Sequence, residues 1–174
     1  MSLIKRRLRL PFGRQLFAAL LSGSEGGLAT TTAITAGLLI STDQPDLVVL
    51  TATISFLVQA FNGSMGRFSA EHTDQELDQR RKWFDYGGPI RDALTQFVSH
   101  VLMSVIVLLP IVVVADVGRA LTYAVALTLF FLFLIGAFKG RLVKNSPLRD
   151  GIEMVLVGSL IISVGIVAGF ALRT

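Results

Sequence analysis

Five apolar runs divide the chain, at about residues 16–40, 47–70, 93–115, 121–138 and 152–172. A helix rises about 1.5 Å per residue, so about 20 apolar residues cross a hydrocarbon layer of roughly 30 Å. The pattern therefore predicts an all-α polytopic membrane protein with five transmembrane helices. Only 16% of residues are charged, against about 25% in a soluble domain, so lipid is the expected main solvent. One membrane domain over residues 1–174 is expected, with residues 71–92 as its one sizeable loop.

The basic residues set the expected orientation. Lys5, Arg6, Arg7, Arg9 and Arg14 precede the first run; Arg67, Arg80, Arg81, Lys82 and Arg91 surround the second loop; Lys139, Arg141, Lys144 and Arg149 fill the fourth. Of the 16 Lys and Arg, only Arg119 and Arg173 fall on the other side. Cytoplasmic loops carry such an excess, so the N-terminus is expected in the cytoplasm and the C-terminus opposite. The opening stretch MSLIKRRLRLPFGRQ is read as the flank of a retained first helix, since more spans follow it. A net charge of +4 spread between apolar runs suits anionic lipid headgroups rather than nucleic acid, and no nucleic-acid partner is expected. With no cysteine, disulfides and thiolate metal sites are excluded. No nucleophile elbow, phosphate loop, dinucleotide fingerprint or H-E-x-x-H occurs, so the chain is not expected to be an enzyme.

Acids inside spans mark candidate sites, because an ionisable group in hydrocarbon is costly. Glu25, in SGSEGGLATTTAITAG, lies nine residues past Leu16, roughly 14 Å along a helix. Either it handles a substrate ion or proton, or it is paired inside the bundle with threonine hydroxyls or His100. Gly23 and Gly27 form a G-x-x-x-G pair, the spacing of close helix contact; Gly136/Gly140 and Gly165/Gly169 repeat it. The threonines beside Glu25 are expected to bond back to their own helix. Gln59 and Asn62 in the second run are less easily satisfied that way and are expected to face protein or water, near Met65. Glu153 follows Asp150 with the spacing of a capping box and is assigned to starting the fifth helix.

The second loop opens with EHTDQELDQRRKWFDYGG and is expected to extend the second helix, with Trp83, Phe84 and Tyr86 suited to the headgroup interface. His72 and Glu76 stand one turn apart, as do Asp74 and Asp78, and Glu71 precedes them. Either pair could share a hard divalent cation; the alternative is a solvated charged face.

The stretches PIRDALTQFVSHVLMSVIVLLP and ALTLFFLFLIGAFKGRLVKNSPLRDGIEMVLVGSLIISVGIVAGF, with GSEGGLATTTAITAGL and QAFNGSMGRFSAEHTDQELD before them, resemble the vacuolar iron transporter family. The resemblance implies five helices, a homodimer with the ion path between protomers, and proton-coupled export of Fe2+ or Mn2+ from the cytoplasm. It implies an ion path through Glu25, Gln59, Asn62 and Met65, and metal collection by Glu71, His72, Asp74, Glu76 and Asp78, on an extension shorter than in longer members. No permanently bound cofactor is implied, only a transported divalent metal ion. The membrane would be the plasma membrane in a prokaryote and an organelle membrane otherwise. The sequence departs from the family pattern where an aspartate precedes the Gly-Leu pair: Gly26 stands there, with Glu25 one residue earlier. Ser55 and Gly63 replace a methionine and a glutamate of the second span, and Arg67 replaces the acid of a G-E-Y. A relative that keeps the fold as a non-transporting scaffold or regulatory subunit is the competing expectation.

Overall fold

A computed structural model describes residues 13–42, 44–77 and 86–173. The described residues form five helices: α1 Arg14–Ser41, α2 Pro45–Leu77, α3 Gly87–Val113, α4 Val117–Val143 and α5 Pro147–Ala171. Among the described residues α2, α3, α4 and α5 are long and apolar enough to cross a membrane on their own. The molecule is therefore an integral, multi-pass membrane protein. At 28 residues, α1 has the length but no continuous stretch as apolar as theirs.

The position of α1 accounts for its composition. It packs against all four other helices, α3 and α5 most extensively, so little of its surface needs to satisfy lipid. Its buried face is made of small and hydroxyl side chains: Gly23, Ser24, Gly27, Ala29, Thr31, Thr32, Ala33, Thr35 and Ala36. Threonine is tolerated there because its hydroxyl finds a carbonyl one turn back. Thr32 donates to the Leu28 oxygen at 2.7 Å and Thr35 to the Thr31 oxygen at 2.7 Å. Thr30 donates likewise to the Gly26 oxygen. With its proton committed to Leu28, Thr32 accepts from Thr128 of α4 at 2.6 Å, a tie across the bundle. One apolar cluster is built from Leu28, Leu39, Val48, Val107, Ile111, Leu132 and Met154.

The three glycine pairs are each seams within the chain. A Cβ on Gly23 or Gly27 would run into the Gln96 and His100 carbonyls of α3. One on Gly169 would lie 2.5 Å from the Gly37 oxygen of α1, and one on Gly136 2.5 Å from the Asp150 oxygen of α5. Small residues are what let helix backbones approach this closely.

The helix ends correct one expectation. α5 begins at Pro147, with Ser146 as its N-cap accepting from the Arg149 amide. Asp150 therefore lies in the first turn rather than at the cap. It is buried, accepts from Asn145 Nδ2 at 2.5 Å, and pins the α4–α5 turn. Glu153 is exposed and takes no part in a capping box. α2 runs unbroken to Leu77, about 50 Å at 1.5 Å per residue, so its last turns project beyond the hydrocarbon as the expected extension. The N-terminus of α1, the C-terminal turns of α2, the start of α3 and the α4–α5 turn mark one end of the bundle, called the basic end below.

Candidate functional site

Glu25 is half-buried on α1 and opens on a cavity of about 270 Å³ between α1, α4 and α5. Its oxygen-bearing neighbours in the lining are Ser22 and Thr30; Leu132, Met154 and Gly158 form the apolar wall. The Lys139 ammonium, on the α4 face two turns beyond Leu132, acts electrostatically on the Glu25 carboxylate. Among the described residues no hydrogen bond is made to Glu25, so the predicted pairing with threonine hydroxyls is not seen. Glu25 is thus half-buried within the helix bundle, with Lys139 near enough for its charge to be felt but not in an ion pair with it.

Gln59, Asn62 and Met65 do not share that cavity. Gln59 reaches a larger hollow of about 530 Å³ along the α1–α5 groove, which meets the Glu25 cavity at Thr30 and Ile161. Asn62 is exposed on the outer face of α2. Met65 is 48% exposed and lines an apolar groove between α2 and α3 with Phe61, Phe68 and Phe97. Around Asn62 the exposed or half-exposed stripe of α2 is Ser55, Gln59, Asn62, Gly66 and Ser69. The steps of three and four residues put these on one face. A polar stripe turned out of a spanning helix is costly unless a second surface or water meets it.

The loop acids fall into different surroundings. Glu71 is 6% exposed and Asp92, at the start of α3, is 1% exposed. Arg91 holds the Asp92 carboxylate at 3.2 Å. Glu71 lies beyond the span, and its carboxyl is raised above the usual range by burial first and by the Asp92 charge next, against the pull of Arg67. Arg67 donates to the Gln15 carbonyl of α1 at 2.8 Å. Together with Arg14, Glu71 and Asp74 it lines a mixed-charge cavity of about 640 Å³. His72 faces Tyr86 in a parallel stack, 5.6 Å between centroids, with Phe68 beside both. Its Nδ1 lies 3.8 Å from Glu76. Asp78, with Trp83 and Phe84, lies outside the described residues. Among the described residues no group of three or more acids and histidines is gathered for a metal ion; Glu71 turns inward, His72 stacks and Asp74 is exposed.

The basic end also holds residues that charge counting passed over. Asp92, Gln96, His100 and Ser104 follow one another at four-residue steps on α3 and face inward. That spacing was the readable signal, hidden because Asp92 was assigned to the loop.

Residues 70–170 match the VIT family. Over 71 residues the chain is 32% identical to vacuolar iron transporter 1 of Arabidopsis thaliana and 31% identical to the vacuolar iron transporter of Centaurea cyanus. It is likewise 31% identical to vacuolar iron transporter 1 of Oryza sativa subsp. japonica. Each alignment covers 41% of this chain and 28–29% of the relative, so the chain spans under a third of the curated relatives it matches. The family match takes in α3, α4 and most of α5 but only the last turns of α2. Glu25 and the polar stripe lie before it.

Proposed function

The chain belongs to the VIT family, and from that premise we propose that it carries a divalent metal cation, Fe2+ or Mn2+, out of the cytoplasm in exchange for protons. The observation that carries this reading is Glu25: a half-buried acid about 14 Å into the first helix, opening on a cavity with two hydroxyl residues in its lining. Carboxylate and hydroxyl oxygens suit hard and borderline divalent ions without thiolate. In this mechanism Lys139 neutralises Glu25 while the site is empty and yields to the arriving cation. The basic end faces the cytoplasm by the charge rule, and Glu71, Asp74 and Glu76 raise the local cation concentration there. Two copies pair along the polar stripe of α2, so that Gln59 and Asn62 face a shared path rather than lipid.

The competing reading is a fold-retaining relative without transport. It is favoured by Arg67, which puts a guanidinium into the mixed-charge cavity beside Glu71 and Asp74 and is tied to α1 through the Gln15 carbonyl. Reconstitution in liposomes separates the two. Mn2+ uptake driven by a pH gradient is expected for the native chain and is expected to be lost in Glu25→Gln. Native protein that passes no divalent ion under any gradient would rule transport out.

A further inference from the structure

Between α1 and α3 lies a polar file that the metal path does not use. His100 is 6% exposed and Ser104 fully buried. Thr31 donates to Ser104 at 2.8 Å, and Ser104 in turn donates to the Gly27 carbonyl at 3.3 Å, so this end of the file is satisfied. The other end is not: Gln96 Oε1 and His100 Nε2 are both buried without a hydrogen-bond partner. The two residues stand one turn apart, about 6 Å along the helix. Facing them is bare backbone. A Cβ on Gly26 would lie 3.1 Å from His100 Nδ1, and one on Gly63 3.0 Å from Gln96 Nε2. Buried polar atoms without partners, here two on successive turns of one helix, are commonly satisfied by an ordered internal water.

We propose that Gln96 and His100 bind an internal water where α3 faces Gly26 of α1 and Gly63 of α2, and that His100 passes the exchanged proton through it, apart from the Glu25 cavity. The role rests on the proton-coupled reading above; the water site does not. One proton moves and no electrons: the ring accepts it from water on one nitrogen and gives it up to the next acceptor along the file. Toward the basic end the nearest acid on the same face is Asp92, about 12 Å along the helix, so the proton reaches it only by way of water beside Gln96. The charged groups on α3 and the helices packed against it, with the other histidine, are Arg14 and Glu25 on α1, Asp46, Arg67, Glu71, His72, Asp74 and Glu76 on α2, Arg91 and Asp92 on α3, and Arg119, Lys139 and Arg141 on α4.

The test compares native protein with His100→Gln in liposomes, both first shown monodisperse by size exclusion. Two fluxes are read: Mn2+/Mn2+ exchange without a pH gradient, and Mn2+ uptake driven by one. His100→Gln is expected to keep exchange while losing gradient-driven uptake about tenfold or more. Unchanged gradient-driven uptake overturns the relay. Loss of both fluxes also overturns it, because His100 would then serve the metal path or the packing. Native protein without any Mn2+ flux would end the transport reading, and with it the relay. The water site would then be decided by 15N spectra of the chain's two histidines, assigned with His72→Gln. A cross-peak from a His100 ring nitrogen to water, lost in Gln96→Leu, supports the site, and its absence in native protein overturns it.

Discussion

Gly165→Ala places a methyl group where α5 meets α1. The added Cβ would collide with the Ala33 carbonyl oxygen and lie 2.5 Å from its carbon and 2.8 Å from the Ala33 Cα. These are backbone atoms, so no rotamer change relieves the contact. Carbon atoms settle at about 3.5–4.0 Å, so the two helices must part by about 1 Å. Overpacking of this kind costs about 1–3 kcal/mol, partly offset by the roughly 1 kcal/mol by which alanine exceeds glycine as a helix former. Gly118→Ala supplies the control: its Cβ would meet only Asp116 Oδ1, at an ordinary 3.6 Å, so the propensity gain is felt alone. The two variants should therefore differ by about 1–3 kcal/mol, or about 2–12 °C in midpoint for a chain of this size. The assay is the fraction remaining monodisperse by size exclusion after heating in detergent. If Gly165→Ala survives heating as well as Gly118→Ala, the α1–α5 seam is not the close backbone contact described above.

Other expectations follow from the basic end and the outer face. Glu71 is favoured in its neutral form by burial and by Asp92, so the stability it contributes is present below the usual carboxylate value and is lost as pH rises through its raised one. Glu71→Gln should accordingly be more stable to heat than native protein at pH 7–8, with the gap closing toward pH 4.5; a gap that widens on acidification would contradict this. Because the chain has no cysteine, Asn62→Cys can be oxidised in membranes without background, and a crosslinked dimer is expected. Leu160→Cys, on the 68% exposed outer face of α5, should give none, and the reverse result would place the pairing surface elsewhere. Lys139→Met should leave Glu25 without its counter-charge and raise the apparent affinity for Mn2+, read as a lower half-saturating concentration for uptake; an unchanged value would remove Lys139 from the site.

The helices were legible because lipid imposes a length and a composition on each of them. The partners of each helix were not, since facing depends on residues far away in the chain. G-x-x-x-G spacing announced three close contacts, yet nothing local says that Gly23 and Gly27 meet α3 while Gly165 and Gly169 meet α1. Glu25 stood out for its depth, but its cavity is formed by Leu132 and Met154, more than a hundred residues on. The start of α5 was misread by four-residue logic: Ser146 followed by Pro147, an ordinary N-cap and first-turn pair, was the truer cue than Asp150 and Glu153. Asp92 was counted as a loop acid because charge near a span end is normally solvated, and only the packing of α3 against its neighbours shows it 1% exposed.

The central helix is made before the four that surround it, and it is the one least able to enter a bilayer unaided. Four later helices meet the apolarity for insertion, while α1, with its glycines, threonines and Glu25, does not. Its hydroxyls and acid are sheltered by α3, α4 and α5, which a ribosome supplies only afterwards. Stable residence of the first segment is thus completed by the last, and a chain halted after α2 should leave α1 only loosely committed to the membrane.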